Sequence, residues 1–234
     1  MKGFYKIWTN SNDIYNRCKC CTILSSFVVW VTIFCLMLFP VFGIGLSFFA
    51  MCFLCIGFKK NVLDCVQKKQ VKVEAVFNYF KNSLTCFCLK ICSLLLTVLW
   101  SLLLIIPGIV AALNYSFAPY IFSENPNMGT IECLEASKKM VYGRRSELFL
   151  IYLTEFLLIV FFLLFFSCLV IILEYILIIP LWLKILIPVS ISVILFLIFV
   201  RPYFEVLLAN MYIDVKNLEK KTSKQKSVKS VSKV

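Results

Sequence analysis

Apolar residues in this chain occur in runs rather than stripes. Residues 21–39, 46–58, 84–106, 109–122 and 148–173, and a further run starting near 185, are apolar on every helical face, the pattern of helices that lie in hydrocarbon rather than against water. Prolines and glycines punctuate the runs at Pro40 with Gly43 and Gly45, at Pro107-Gly108, and at Pro180 within a connection over 174–184. The pattern predicts an all-α membrane bundle of six transmembrane helices in three hairpins. The fourth run has only 14 residues, fewer than the roughly 20 that cross the hydrocarbon core. The Pro107-Gly108 turn is therefore expected below the membrane surface, either as a helix break of the kind transporters bind ligands at or as a plain tight turn.

Two polar stretches keep a helical period. Over 70–82, Val73, Val76, Phe77 and Phe80 share one face while Lys72, Glu74, Asn78 and Lys81 occupy others, which predicts an amphipathic helix on the membrane surface. Over 129–142, Glu132 and Glu135 precede Lys138 and Lys139, an order that suits the helix dipole, with Glu135 one turn from Lys139. After the sixth run, Phe204, Leu207, Leu208, Met211, Tyr212 and Val215 form a helical stripe. Residues 1–218 therefore read as one six-span unit, and the Lys/Ser-rich residues 219–234, without apolar periodicity, as a disordered tail. Tyr15-x-Arg17, Tyr79-x-Lys81 and Tyr142-x-Arg144 each precede a span, a weak echo that a parallel repeat and chance explain equally well.

Composition agrees with the pattern, since 62% of the 234 residues are hydrophobic and 15% charged, with a mean hydropathy of +0.93, far from soluble usage. The first run is as long as a full span and lacks a small-residue cleavage site, so it reads as a retained helix and not a signal peptide. The formal charge is +12. All Lys and Arg except Lys90 and Lys184 fall on one side of the six-span layout, which predicts a plasma membrane protein with both termini cytoplasmic. Basic residues flank apolar helices instead of forming a face with interleaved aromatics, so nucleic acid is not an expected partner. The expected partners are the bilayer, whose anionic inner-leaflet lipids attract each nearby Lys or Arg by about 1 kcal/mol, and an unidentified membrane protein.

Chemistry is sparse. The chain has no histidine, and it carries no phosphate loop, nucleophile elbow or metal-binding helix, so neither catalysis nor a cofactor or metal is expected. Most of the 12 cysteines lie inside apolar runs, where a thiol packs as a small hydrophobe, and no disulfide framework is expected. Cys18, Cys20 and Cys21 cluster at a membrane boundary, where inert thiols, acylation and metal binding are alternatives. The informative residues are the charges inside spans: Lys90, Glu155, Arg201 and Glu205. An ionised group there costs a few kcal/mol unless it snorkels or pairs. Lys90 can snorkel, Glu205 lies one turn from Arg201, and the shorter Glu155 needs Lys90 or Arg201 as a partner or must take up a proton.

Ile106-Pro107-Gly108-Ile109, Tyr115-Ser116-x-Ala118-Pro119-Tyr120-Ile121, Asn125-Pro126, Ser137-Lys138-Lys139-Met140 and Glu147-Leu148-Phe149 together resemble a bacterial integral membrane family, domain of unknown function 975. Pro202-Tyr203 to Asp214 is similar to its closing motif. Glu155 stands where that pattern has an apolar residue, and the 174–184 connection is long. The resemblance implies a bacterial cytoplasmic membrane and no particular activity. The expected function is a non-enzymatic scaffold or modulator of a membrane partner or envelope process, because the intramembrane charges sit near one face. The alternative is a small-molecule transporter or lipid-handling protein.

Overall fold

A computed structural model describes residues 2–37, 43–69, 71, 73–174, 190–191 and 193–231. The expected Pro40 turn, the Pro180 connection beyond Glu174 and Lys184 lie outside these residues. The helices are α1 (Lys2–Met37), α2 (Gly43–Val66), α3 (Ser83–Leu103), α4 (Ile105–Asn114), α5 (Ala118–Glu124), α6 (Thr130–Val141), α7 (Arg145–Glu174) and α8 (Arg201–Val231), with a 3-10 segment at Val73–Asn82 and a π-helical turn at Phe196–Val200. No strand occurs among the described residues, and six helical stretches are long and apolar enough to cross a membrane. The fold is the all-α bundle that the apolar runs predict, and the chain has the make-up of a multi-pass membrane protein.

The elements differ from expectation at their ends, each time for a tertiary reason. The polar residues before the first run are helical back to Lys2, because Ile7, Ser11 and Ile14, at i, i+4 and i+7, are buried. The Ser11 hydroxyl accepts from Asn210 Nδ2 at 2.9 Å, and Trp8 meets Tyr203 edge-on with centroids 5.5 Å apart. α2 runs eight residues past Phe58 to Val66, with Val62 and Leu63 fully buried. Past Leu218, where composition predicts disorder, α8 continues to Val231; extending an existing helix requires no new nucleus. One covalent link departs from the expected free thiols, since Cys18 of α1 and Cys65 of α2 form a disulfide.

The amphipathic stretch after α2 is a 3-10 helix, and its three-residue turn changes which face is inside. Val76 and Tyr79 are buried while Phe77 and Phe80 are exposed. Tyr79 donates to the Ser123 carbonyl at 2.6 Å. This segment lies so close to α2 that a Cβ on Gly57 would come within 2.8 Å of the Val76 Cα; no residue but glycine fits there.

The expected turn at Pro107-Gly108 is displaced. The chain breaks at Leu104, the one extended residue between α3 and α4 (φ −162°, ψ 147°). Pro107 is the third residue of α4, where its missing N–H has no intrahelical partner to lose. Gly108 faces back on α3, where a Cβ would lie 2.8 Å from the Ser101 Cα and Cβ. The fourth span is thus Ile105–Glu124, 20 residues long, but it is interrupted between Asn114 and Ala118.

The tightest packing lies where α2, α5 and α8 meet, with Leu54, Tyr120, Phe122, Phe204, Met211 and Tyr212 almost wholly buried. α3 and α7 contribute little to it. Leu95, Leu99, Leu102, Phe156, Phe161 and Leu164 on these helices are exposed, as expected of surfaces that meet lipid.

Candidate functional site

Two prolines interrupt helices beside the core, and a serine from a neighbouring helix repairs each break. Pro119 cannot donate to the Tyr115 carbonyl, so Ala118 N–H turns to it instead at 3.2 Å, leaving the Asn114 carbonyl and the Phe117 N–H without helical partners. Ser137 of α6 donates to the Asn114 carbonyl at 2.6 Å and accepts from Phe117 N–H at 3.2 Å. The Asn114 side chain accepts from Arg145 Nε at 3.0 Å. In the π-helical turn, Arg201 N–H bonds the Phe196 carbonyl; in that register the Leu197 carbonyl faces residue 202, a proline without an N–H. Ser26 of α1 supplies the donor at 3.2 Å. Backbone irregularity within a bundle persists where protein groups satisfy it in this way.

These breaks set Tyr120, Arg201 and Glu205 against α2. Glu205, with a side chain only 4% exposed, accepts from Lys59 Nζ at 2.7 Å and from the Tyr120 hydroxyl at 2.6 Å. Its other oxygen accepts from Arg201 Nη2 at 3.4 Å, and Arg201 Nε lies 3.8 Å from Glu155. Lys59 Nζ also sits 4.5 Å from the Tyr120 ring centroid. Glu155, Arg201 and Glu205 are therefore one cluster, as the sequence suggested, and the partner of Glu155 is Arg201. Lys90 is not in it and makes no ion pair among the described residues, so of the two partners foreseen for Glu155 it is the one the fold rejects.

Lys90 instead lines, with Lys59 and Arg201, a cavity of about 720 Å³. Its walls come from α2, α3, α4–α5, α7 and the start of α8. Ser93 and Thr97 follow Lys90 up one face of α3, and Ser116, Tyr115 and Tyr152 stand across from them. The rest is apolar. Leu94, Ile109, Leu153 and Phe156 belong both to the lining and to the exposed surface, so among the described residues the cavity opens sideways, where acyl chains would lie. Lys59 is seven residues from the end of α2 and Lys90 seven from the start of α3, about 10 Å along each helix. Three cations and the two carboxylates Glu155 and Glu205 leave one positive charge in excess.

A second polar cluster sits nearer the ends of α5 and α8. Glu124 accepts from Tyr212 at 2.6 Å and from Gln67 at 3.3 Å, and pairs with Lys216. Arg144 bridges Glu147 and Asp214 at 2.7 and 2.8 Å. Both fasten α8 to the loops around α6. Among the described residues no group of His, Cys, Asp and Glu is arranged to hold a metal ion. Burial of Cys133 on α6 pushes its thiol pKa up, and the neighbouring Glu132 carboxylate adds to the rise.

Sequence reasoning missed Lys59 and Tyr120. Lys59 looked like the end of a span because Lys60 follows it, although Ile56, Lys59 and Val62-Leu63 keep helical spacing. Tyr120 lies in the fourth apolar run with no charge to mark it. Compared with protein-family models, curated proteins and solved structures, the chain matches none.

Proposed function

We propose that this is a non-enzymatic membrane protein that takes an amphiphilic ligand from the bilayer into the cavity between its spans, which is the lipid-handling reading. The cavity carries the proposal. Its volume of about 720 Å³ lies within the range of ligand sites, its apolar walls open laterally, and its polar groups converge at one end. Membership of the family named above, a bacterial plasma membrane and cytoplasmic termini belong to the same proposal, resting on motif residues and charge distribution alone.

Protein purified in mild detergent is expected to retain a diacyl lipid in stoichiometric amount by native mass spectrometry. Filling the lining with Ala112→Trp is expected to reduce the retained lipid several-fold at an unchanged melting temperature. Absence of retained lipid, or equal retention by the variant, would rule the reading out. A stoichiometric protein in place of lipid would favour the scaffold.

Orientation is open to a direct test. In a cysteine-free variant, a cysteine at Glu174 is expected to react with an impermeant thiol reagent on intact spheroplasts, and one at Lys139, an exposed position of α6, is not. The Cys18–Cys65 disulfide argues the opposite way, because such bonds persist in oxidising compartments, whereas the excess of Lys and Arg favours the reducing one for that end. Labelling at Lys139 from outside would reverse the topology in favour of the disulfide.

A further inference from the structure

The charge left over in the cavity identifies the polar part of its ligand. Glu205 is held by Lys59 and Arg201, and Glu155 by Arg201. Lys90 has no carboxylate within ion-pair distance among the described residues, yet its side chain lines the cavity. The Ser93 hydroxyl, one turn on, makes no hydrogen bond among the described residues, and Thr97 spends its proton on the Ser93 carbonyl at 2.8 Å. An ammonium without a carboxylate partner and a hydroxyl without a hydrogen bond among the described residues, some 10 Å along the helix from its start, have the chemistry of an anion site.

We infer that Lys90 and Ser93 bind the phosphodiester of an acidic, monoanionic phospholipid, whose acyl chains leave over the rim formed by Leu94, Ile109 and Phe156. This inference rests on the proposed lipid-binding role of the cavity. One negative charge neutralises the single excess cation. A zwitterionic headgroup brings an ammonium that has no carboxylate to spare, because both nearby carboxylates are engaged. A free phosphate offers nothing to the apolar walls. The acidic lipid satisfies both halves of the site.

The experiment uses the full chain in neutral detergent, titrated with short-chain phosphatidylglycerol, phosphatidylcholine, diacylglycerol and inorganic phosphate, with binding read by quenching of a fluorophore attached near the rim. Phosphatidylglycerol is expected to bind roughly tenfold more tightly than phosphatidylcholine, the value of one charge-assisted hydrogen bond. Lys90→Gln is expected to abolish that preference and leave diacylglycerol binding unchanged. Lys90→Arg is expected to keep the preference. Lys90 is exposed and makes no ion pair among the described residues, so neither variant threatens the fold.

Equal binding of all three diacyl lipids, insensitive to Lys90→Gln, overturns the headgroup assignment while leaving a lipid cavity in place. Inorganic phosphate binding as tightly as phosphatidylglycerol overturns the lipid source. Failure of every diacyl probe to bind overturns the cavity reading itself, and with it this inference.

Discussion

Glu205→Leu is expected to lower stability by about 3–5 kcal/mol, the usual consequence of deleting one partner of a buried ion pair, or roughly 10 °C in melting temperature for a chain of this size. The loss comes less from the vanished attraction than from what remains. Lys59, 15% exposed in its side chain, would keep its charge among Ile56, Tyr120 and Leu63 with no carboxylate in reach. The Tyr120 hydroxyl would lose its carboxylate acceptor at 2.6 Å and keep only the residue 205 carbonyl, at 3.4 Å. Arg201 suffers least, since its side chain is 46% exposed and Glu155 stays beside it. The double variant Glu205→Leu, Lys59→Met removes both charges and is expected to recover most of the lost stability. Thermal unfolding in detergent measures all three proteins. A single variant that melts with the parent, or a double variant no better than the single, would mean that Glu205 does not organise this cluster.

Ser137→Val is expected to cost about 2–6 kcal/mol, because one side chain serves two backbone groups. The Asn114 carbonyl and the Phe117 N–H would both be left unpaired in a region where Phe117 and Ala118 have no exposure, and each buried orphan costs about 1–3 kcal/mol. Ser101→Ala is the control. The Ser101 hydroxyl bonds only the Thr97 carbonyl of its own helix at 2.8 Å and is exposed, so its loss should stay within about 0.5 kcal/mol. Hydrogen exchange at Phe117 and Ile121 should accelerate in Ser137→Val and not in Ser101→Ala. Unchanged exchange would show that the helix break holds without the serine.

The number and apolar character of the spans were legible in the chain because an unbroken apolar run has one stable environment, whatever packs against it. The same logic exposed Glu155, Arg201 and Glu205, since a charge inside such a run is costly enough to require a partner. Which partner was not legible. Lys90 and Arg201 both lay at a plausible depth for Glu155, and only the π-helical turn before Pro202, with Ser26 capping Leu197, determines where Arg201 points. The Pro119 break was hidden for a related reason: the Asn114 carbonyl left over at the break is satisfied by Ser137 from another helix, whereas Pro107, a louder signal in the sequence, sits harmlessly in a first turn. Lys59 and the polar face of α1 were concealed by their own polarity. Composition reports what water or lipid would do to a residue, but a residue such as Lys59 or Ser11 is held by groups more than 140 positions away, and those meet only when the bundle closes.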